Sequence, residues 1–118
     1  MTRPLNPPEI ESKLLALSND IARGVKIVSD AEKTYVDSQR EFDRAKAKAQ
    51  LEAQGTVAER EAQVELATAS QRDQRDQDYL AFQHAKRTLR SLDQRIDALQ
   101  SIGASVRQAY VVAGRGEK

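Results

Sequence analysis

The 118-residue sequence predicts an all-α protein: a long antiparallel two-helix hairpin of coiled-coil character that assembles into a homo-oligomer. Strong helix formers dominate, whereas five glycines, three prolines and 4% aromatic residues leave little material for a fold of strands and turns. Apolar or small residues also recur in two long runs whose spacing alternates between three and four, which is the heptad spacing of packed helices. A chain of this length forms one domain, so we expect residues 1–118 to be a single helical domain.

The first helix is predicted over residues 8–54, behind a flexible arm of residues 1–7. Pro8 suits a first helical turn, because its missing N–H has no partner to lose there and its φ is already helical. From that point the heptad run continues without a slip, which favours one long helix facing one neighbour. The run consists of Ile10, Leu14, Leu17, Ile21, Gly24, Val28, Ala31, Tyr35, Ser38, Phe42, Ala45 and Ala49.

Gly55 and Thr56 are predicted to end the first helix and start the second. Glycine suits the left-handed residue that closes a helix, and Thr56 with Glu59 matches a T-x-x-E capping box. Two helices that meet at such a stop form an αα-hairpin. Because one glycine costs only about 1 kcal/mol in a helix interior, a continuous rod remains the alternative.

The second helix is predicted over residues 56–113, with a tail at 114–118. Its later half carries the second heptad run, whereas the segment 68–78 (TASQRDQRDQD) is polar and has no apolar anchor. We interpret that segment as a solvated stretch of helix, and a break near 68–78 or at 103 is the alternative. The second run consists of Phe82, Ala85, Leu89, Leu92, Ile96, Leu99, Gly103, Val106, Tyr110 and Ala113.

The second run is the richer in Leu and Ile, and we therefore expect it to carry self-association. The run from Ile10 to Val28 is its expected partner within the chain. A lone hairpin with one thin seam leaves apolar surface that further copies would cover, although the seam does not fix the number of subunits. The predicted assembly residues are Phe82, Leu89, Leu92, Ile96, Leu99, Val106 and Tyr110.

The sequence offers no sign of catalysis, so we expect a non-enzymatic protein without catalytic residues, metal, cofactor or small-molecule substrate. It lacks HExxH, P-loop and dinucleotide motifs, and the absence of cysteine excludes disulfides and thiolate metal sites. His84 is the only histidine, and a helix-surface position is the favoured interpretation over a metal ligand. Acidic residues have basic neighbours within one or two turns, as Glu41 has Arg44, which suits exposed helix faces.

No stretch of the sequence approaches 18 consecutive apolar residues, and the N-terminus has no apolar signal region. We therefore expect no membrane contact and a cytoplasmic location, in the host cell if the gene belongs to a phage.

Charge is balanced overall, with 19 basic and 18 acidic residues, but it is unevenly distributed. Residues 57–78 contain three basic and six acidic side chains, and residues 84–115 contain six basic and two acidic ones. A reversal at Gly55 would oppose residues whose numbers sum to about 111 and so gather basic residues of both helices. Such a patch could bind phosphates independently of sequence, although a solvated helix face is the alternative. The candidate DNA-binding residues are Arg23, Lys26, Lys86, Arg87 and Arg90.

The C-terminal stretch LDQRIDALQSIGASVRQAYVVAG, with Ser101 and Gly103 in its S-x-G element, resembles the end of UvsY-type phage recombination mediators. The resemblance covers roughly a fifth of the chain, and the layout of an amphipathic helix, a charged middle and a final apolar helix is similar too. It implies a small ring-forming helical oligomer that binds single-stranded DNA. Such a protein helps load a strand-exchange recombinase onto strands covered by single-strand-binding protein, without hydrolysing nucleotides.

Two functional hypotheses follow from the sequence. The first is a phage-type recombination accessory protein whose partners are other copies of itself, single-stranded DNA, and a recombinase or single-strand-binding protein. The second is a helical scaffold or adaptor that binds a protein partner without nucleic acid. The acidic stretch 59–78 departs from the first hypothesis, because it would repel a phosphate backbone and could face a protein partner instead.

Overall fold

The structure, a computed structural model, describes residues 6–116 and the side chains of residues 6–114. Within that part the chain forms two helices and no strand: α1 (Pro7–Glu52) and α2 (Val57–Gly116). The prediction of an all-α two-helix hairpin is confirmed. The alternative of a continuous rod is wrong, because the chain reverses between the two helices.

α1 begins with a capping arrangement at Asn6. The Oδ1 atom of Asn6 accepts a hydrogen bond from the backbone N–H of Glu9 at 3.0 Å, and its Nδ2 donates to the Glu9 carboxylate at 3.2 Å. This pairing satisfies a backbone donor that the first helical turn leaves free. The helix therefore starts at Pro7, one residue before the predicted start, and the rest of the predicted arm, residues 1–5, lies outside the described residues.

The reversal between the helices is held by one glycine and by polar contacts. Gly55 has φ +110°, the left-handed conformation expected of it, and the Thr56 hydroxyl accepts the backbone N–H of Glu59 at 3.2 Å. The side chain of Gln63 donates to the carbonyl of Gln54 at 2.8 Å and accepts from its N–H at 3.1 Å. α1 consequently ends at Glu52 rather than at residue 54.

α2 is unbroken from Val57 to Gly116, so the chain breaks neither within 68–78 nor at 103, and helix continues into the predicted tail up to residue 116. The reason is that the heptad spacing continues through the polar segment. We call the residues of each helix at these heptad positions, which face the other helix, its stripe; in α2 the stripe runs from Val64 through polar residues of the segment 68–78. These stripe residues are all less exposed than most of their neighbours: Val64, Thr68, Gln71, Arg75 and Asp78.

The chain divides into two compact units. Unit 1 comprises residues 1–26 and 87–118, and unit 2 comprises residues 27–86. In unit 1 the helices approach closely through glycine: a Cβ atom on Gly103 would lie 3.2 Å from Cγ2 of Ile10, and one on Gly24 would lie 3.0 Å from Cδ1 of Leu89. Ile10 is 2% exposed and is the one fully buried apolar side chain among the described residues.

Unit 2 packs through aromatic and polar side chains instead. The ring of Tyr35 lies 5.2 Å from that of Tyr79 and 6.1 Å from that of Phe82. The Arg75 guanidinium lies 4.6 Å from the centre of the Phe42 ring. One polar contact joins the helices here, since the hydroxyl of Ser38 donates to the Asp78 carboxylate. The buried hydroxyl of Thr68 is satisfied within α2, where it donates to the carbonyl of Val64 at 2.7 Å.

The register of the hairpin differs from the prediction. Opposed residues have numbers that sum to 113 for Ile10 with Gly103 in unit 1, and to 114 and 117 for Tyr35 with Tyr79 and with Phe82 in unit 2, not to 111. The cause lies at the turn. A sum of 111 would place residue 57 opposite Gln54, but the side chain of Gln63 binds the backbone of Gln54 instead. The first turn and a half of α2 therefore closes the end of the hairpin before α2 runs beside α1.

Candidate nucleic-acid interface

Charge is separated between the two units. Residues 1–26 and 87–118 contain ten basic and six acidic side chains, a net charge of +4 for unit 1. Residues 27–86 contain nine basic and twelve acidic side chains, a net charge of −3 for unit 2. An anionic ligand is therefore attracted to unit 1 and repelled by unit 2.

Four of the nine basic side chains of unit 2 are paired with carboxylates of the same unit. All four are arginines, and the hydrogen bond and charge of Glu65 raise the pKa of Arg72 above its ordinary value. A guanidinium already bound to a carboxylate gains less from a phosphate. The four pairs are Arg40–Asp37 at 4.0 Å, Arg44–Glu41 at 3.0 Å, Arg75–Asp76 at 2.9 Å, and Arg72–Glu65.

Arg87 and Arg90 of unit 1 and Lys86, the last residue of unit 2, lie within little more than one turn of α2, and we name these three residues the basic ridge. Residues at i, i+1 and i+4 of a continuous helix project over adjoining parts of its surface, and all three side chains are exposed. The Lys86 ammonium lies 4.5 Å from the centre of the Phe82 ring, a cation–π contact that restricts it. Neither Arg87 nor Arg90 forms an ion pair with any described residue.

The helix phase divides the five candidate DNA-binding residues between different faces. A pair of antiparallel helices has two sides beside the line of contact, which we call its flanks. Residues of either helix that immediately follow a stripe residue lie on one flank, and residues that immediately precede a stripe residue lie on the other. Lys86 and Arg90 immediately follow the stripe residues Ala85 and Leu89, and we name the side on which they lie the Arg90 flank. Arg23 precedes Gly24 and lies on the other flank, where it is paired with Asp20.

Lys26 and Arg87 occupy the backs of α1 and α2, farthest from the stripes on which the helices meet. The expected single patch of five residues is thus not formed, because hairpin closure sets the register but helix phase sets the direction of each side chain. The basic ridge of α2 remains as the contiguous part of that prediction.

Sequence reasoning missed Lys13 and Arg95. Together they border an open groove of about 400 Å³ in unit 1 whose remaining lining is methyl and isobutyl groups: Ala16, Leu17, Ala98 and Leu99. Both basic residues immediately precede stripe residues, Leu14 and Ile96, so they share one flank, which we name the Arg95 flank. That relation was present in the sequence and could have been found by comparing the two helices position by position.

Six of the seven predicted assembly residues are half-buried on the stripe of α2 that faces α1, from Phe82 to Val106. Phe82 packs on Tyr35, and Leu89 and Leu92 lie against Gly24. Within the chain these side chains therefore already have a neighbour. Tyr110 differs, since 59% of its surface is exposed.

No group of three or more His, Asp or Glu side chains in the described part of the chain is placed to hold a metal ion. Among residues 6–116, no helix is both long enough and apolar enough to cross a membrane.

No family model, no curated protein and no solved structure matches the chain. Any functional assignment therefore depends on the charges and surfaces of this chain and on the resemblance of its C-terminal stretch.

Proposed function

We propose that the protein is a non-enzymatic accessory protein of phage-type recombination that binds single-stranded DNA and helps load a strand-exchange recombinase. The observation that carries the DNA-binding part is the basic ridge of Lys86, Arg87 and Arg90, in which the two arginines form no ion pair with described residues. The loading part depends on the resemblance to recombination mediators.

The basic ridge favours contact with the phosphate backbone of a nucleic acid. Guanidinium and ammonium groups bind phosphate oxygens whatever the base sequence, and each contact releases counterions. Base stacking needs exposed aromatic rings along the path of the strand. Here Phe82 packs on Tyr35, and Lys86 lies over the Phe82 ring, so the ring of Phe82 is not free to stack on bases.

A matched pair of triple variants tests DNA binding. Lys86→Glu, Arg87→Glu and Arg90→Glu reverse the ridge, while Arg40→Glu, Arg44→Glu and Lys48→Glu make the same change in net charge within unit 2. We expect the ridge variant to lose DNA affinity by about 100-fold or more at low salt, because it replaces three phosphate contacts with three repulsions. The control variant should bind within about threefold of the wild type. Fluorescence anisotropy of a labelled oligonucleotide measures both.

Equal losses in the two variants would show that bulk charge, not the ridge, controls binding. No binding by the wild type at low salt would overturn the DNA part altogether. Circular dichroism of each variant checks that helix content is retained. The loading part is tested by the rate at which a recombinase assembles on strands covered by single-strand-binding protein, which the wild type should increase.

The second candidate function is a helical scaffold or adaptor that binds a protein without nucleic acid. The net charge of −3 on unit 2 favours it, because an acidic helical surface suits a basic protein partner better than DNA. This hypothesis predicts that the ridge variant keeps full activity in the cell, whereas the recombination hypothesis predicts its loss.

A further inference from the structure

Tyr79 is an exposed aromatic side chain that the phosphate contacts of the proposed function leave unused. It belongs to unit 2, and 42% of its surface is exposed, whereas Phe82, one turn later, is half-buried. Tyr79 immediately follows the stripe residue Asp78, so it lies on the Arg90 flank. The ring is therefore on the same side of α2 as Lys86 of the basic ridge.

Tyr79 is also aligned with Lys86 along the helix. The two residues are one heptad apart, so they occupy the same position of the repeat and are separated by about 10 Å along α2. The Lys86 ammonium lies 4.5 Å from the centre of the Phe82 ring, which places it back toward Tyr79. A cation and an exposed ring thus follow one another along a single face of unit 2.

The contact between Tyr79 and Tyr35 holds the Tyr79 ring but leaves much of it uncovered. The two ring centres are 5.2 Å apart, and the ring planes are tilted by 58°. No other ring and no cation among the described residues contacts Tyr79. A restrained ring of this kind, exposed beside a basic surface, is what proteins use to stack on the bases of a single strand.

The charges around Tyr79 suit a base better than a phosphate. The acidic stretch 59–78 ends directly before Tyr79, and residues 79–85 contain no Asp, Glu, Lys or Arg. On α1, Glu32 follows the stripe residue Ala31 and adds a carboxylate to the same flank. A carboxylate repels a phosphate but not an uncharged base. The phosphates of a bound strand would therefore lie at the ridge, and a base could still reach Tyr79.

We infer that Tyr79 stacks on one base of a single strand whose phosphates the basic ridge holds. The inference rests on the proposed function and deepens it, because phosphate contacts alone do not distinguish a single strand from a duplex. In a duplex the faces of each base are covered by neighbouring bases, whereas an unpaired strand can present a base to an aromatic side chain. Tyr79 thus supplies a preference for single strands.

Two labelled strands of equal length separate stacking from phosphate binding: oligothymidylate, and an abasic strand with the same phosphates and sugars but no bases. In fluorescence anisotropy at low salt, the wild type should bind oligothymidylate at least about fivefold more tightly, the effect of one base stacked on an aromatic ring. Tyr79→Leu should lose this preference and bind the abasic strand as the wild type does. Tyr79→Phe, which keeps a ring, should retain the preference.

Tyr110→Leu is the matched control. The Tyr110 side chain is more exposed than that of Tyr79, at 59%, but it lies about 30 Å beyond Arg90 along α2. This variant should keep the wild-type preference for oligothymidylate, and circular dichroism should show wild-type helix content in every variant.

The outcomes separate this inference from the proposed function. Equal affinity of the wild type for the two strands would overturn the stacking role and leave phosphate binding in place. The same holds if Tyr79→Leu weakens binding to both strands alike, or if Tyr110→Leu abolishes the preference as Tyr79→Leu does. No binding of the wild type to either strand would overturn the proposed function and this inference together.

Discussion

Gly24 and Gly103 show how single residues control the distance between the helices. From the sequence, glycines on the seam look like weak points, because they bury almost no apolar surface. In the structure each of them admits a large side chain of the other helix, Leu89 at Gly24 and Ile10 at Gly103. Sequence reasoning identified the heptad positions correctly but not this role, since the depth of a contact depends on which residue lies opposite, and at both glycines the predicted register was two residues off.

Replacing Gly24 with leucine should destabilise the hairpin by about 1–3 kcal/mol, because even a Cβ atom there would lie 3.0 Å from Leu89. Gly114→Leu is the matched control. Nothing lies within 4 Å of a Cβ at that position, and a better helix former should leave stability unchanged or raise it by up to about 1 kcal/mol. Thermal unfolding followed by circular dichroism compares the two, and equal destabilisation by both would contradict the close approach at Gly24.

At the scale of elements, the polar segment of α2 shows where the sequence pattern was misread. The step of three and four continues from Val64 to Phe82, but the positions between carry polar side chains that a search for apolar residues passes over. Arg75 fits the seam because its guanidinium packs on the Phe42 ring, and Asp78 because it accepts a hydrogen bond from Ser38. The ends of the helices were easier to predict, since Gly55 and Thr56 act through local backbone geometry.

Gln71 is the exception within this polar seam, and replacing it should stabilise the protein. Its Oε1 atom is buried and has no hydrogen-bond partner, which costs free energy that leucine at the same position would not incur. We expect Gln71→Leu to raise the free energy of unfolding by about 1–2 kcal/mol. The exposed neighbour Gln77→Leu should change it by less than about 0.5 kcal/mol. Chemical denaturation measures both, and a destabilised Gln71→Leu variant would show that the amide has a role in the seam that its contacts do not reveal.

On the scale of the whole molecule, the main property is the separation of charge between units with net charges of +4 and −3. The sequence indicated both signs from simple counts over 57–78 and 84–115. It did not indicate which basic residues share a face, because that depends on the phase of each helix relative to its buried stripe. Arg23 was grouped with Arg90 for this reason, although the two lie on opposite flanks.

The central claim, that the basic ridge holds a phosphate backbone, is tested most directly by the salt dependence of DNA binding. A plot of the logarithm of the association constant against the logarithm of salt concentration should be linear, with a slope of about −2 for three phosphate contacts on single-stranded DNA. Substituting Arg90 with glutamine should make that slope shallower by about 0.7, since one contact is lost. A wild-type slope near zero, or an Arg90→Gln slope equal to that of the wild type, would contradict the claim.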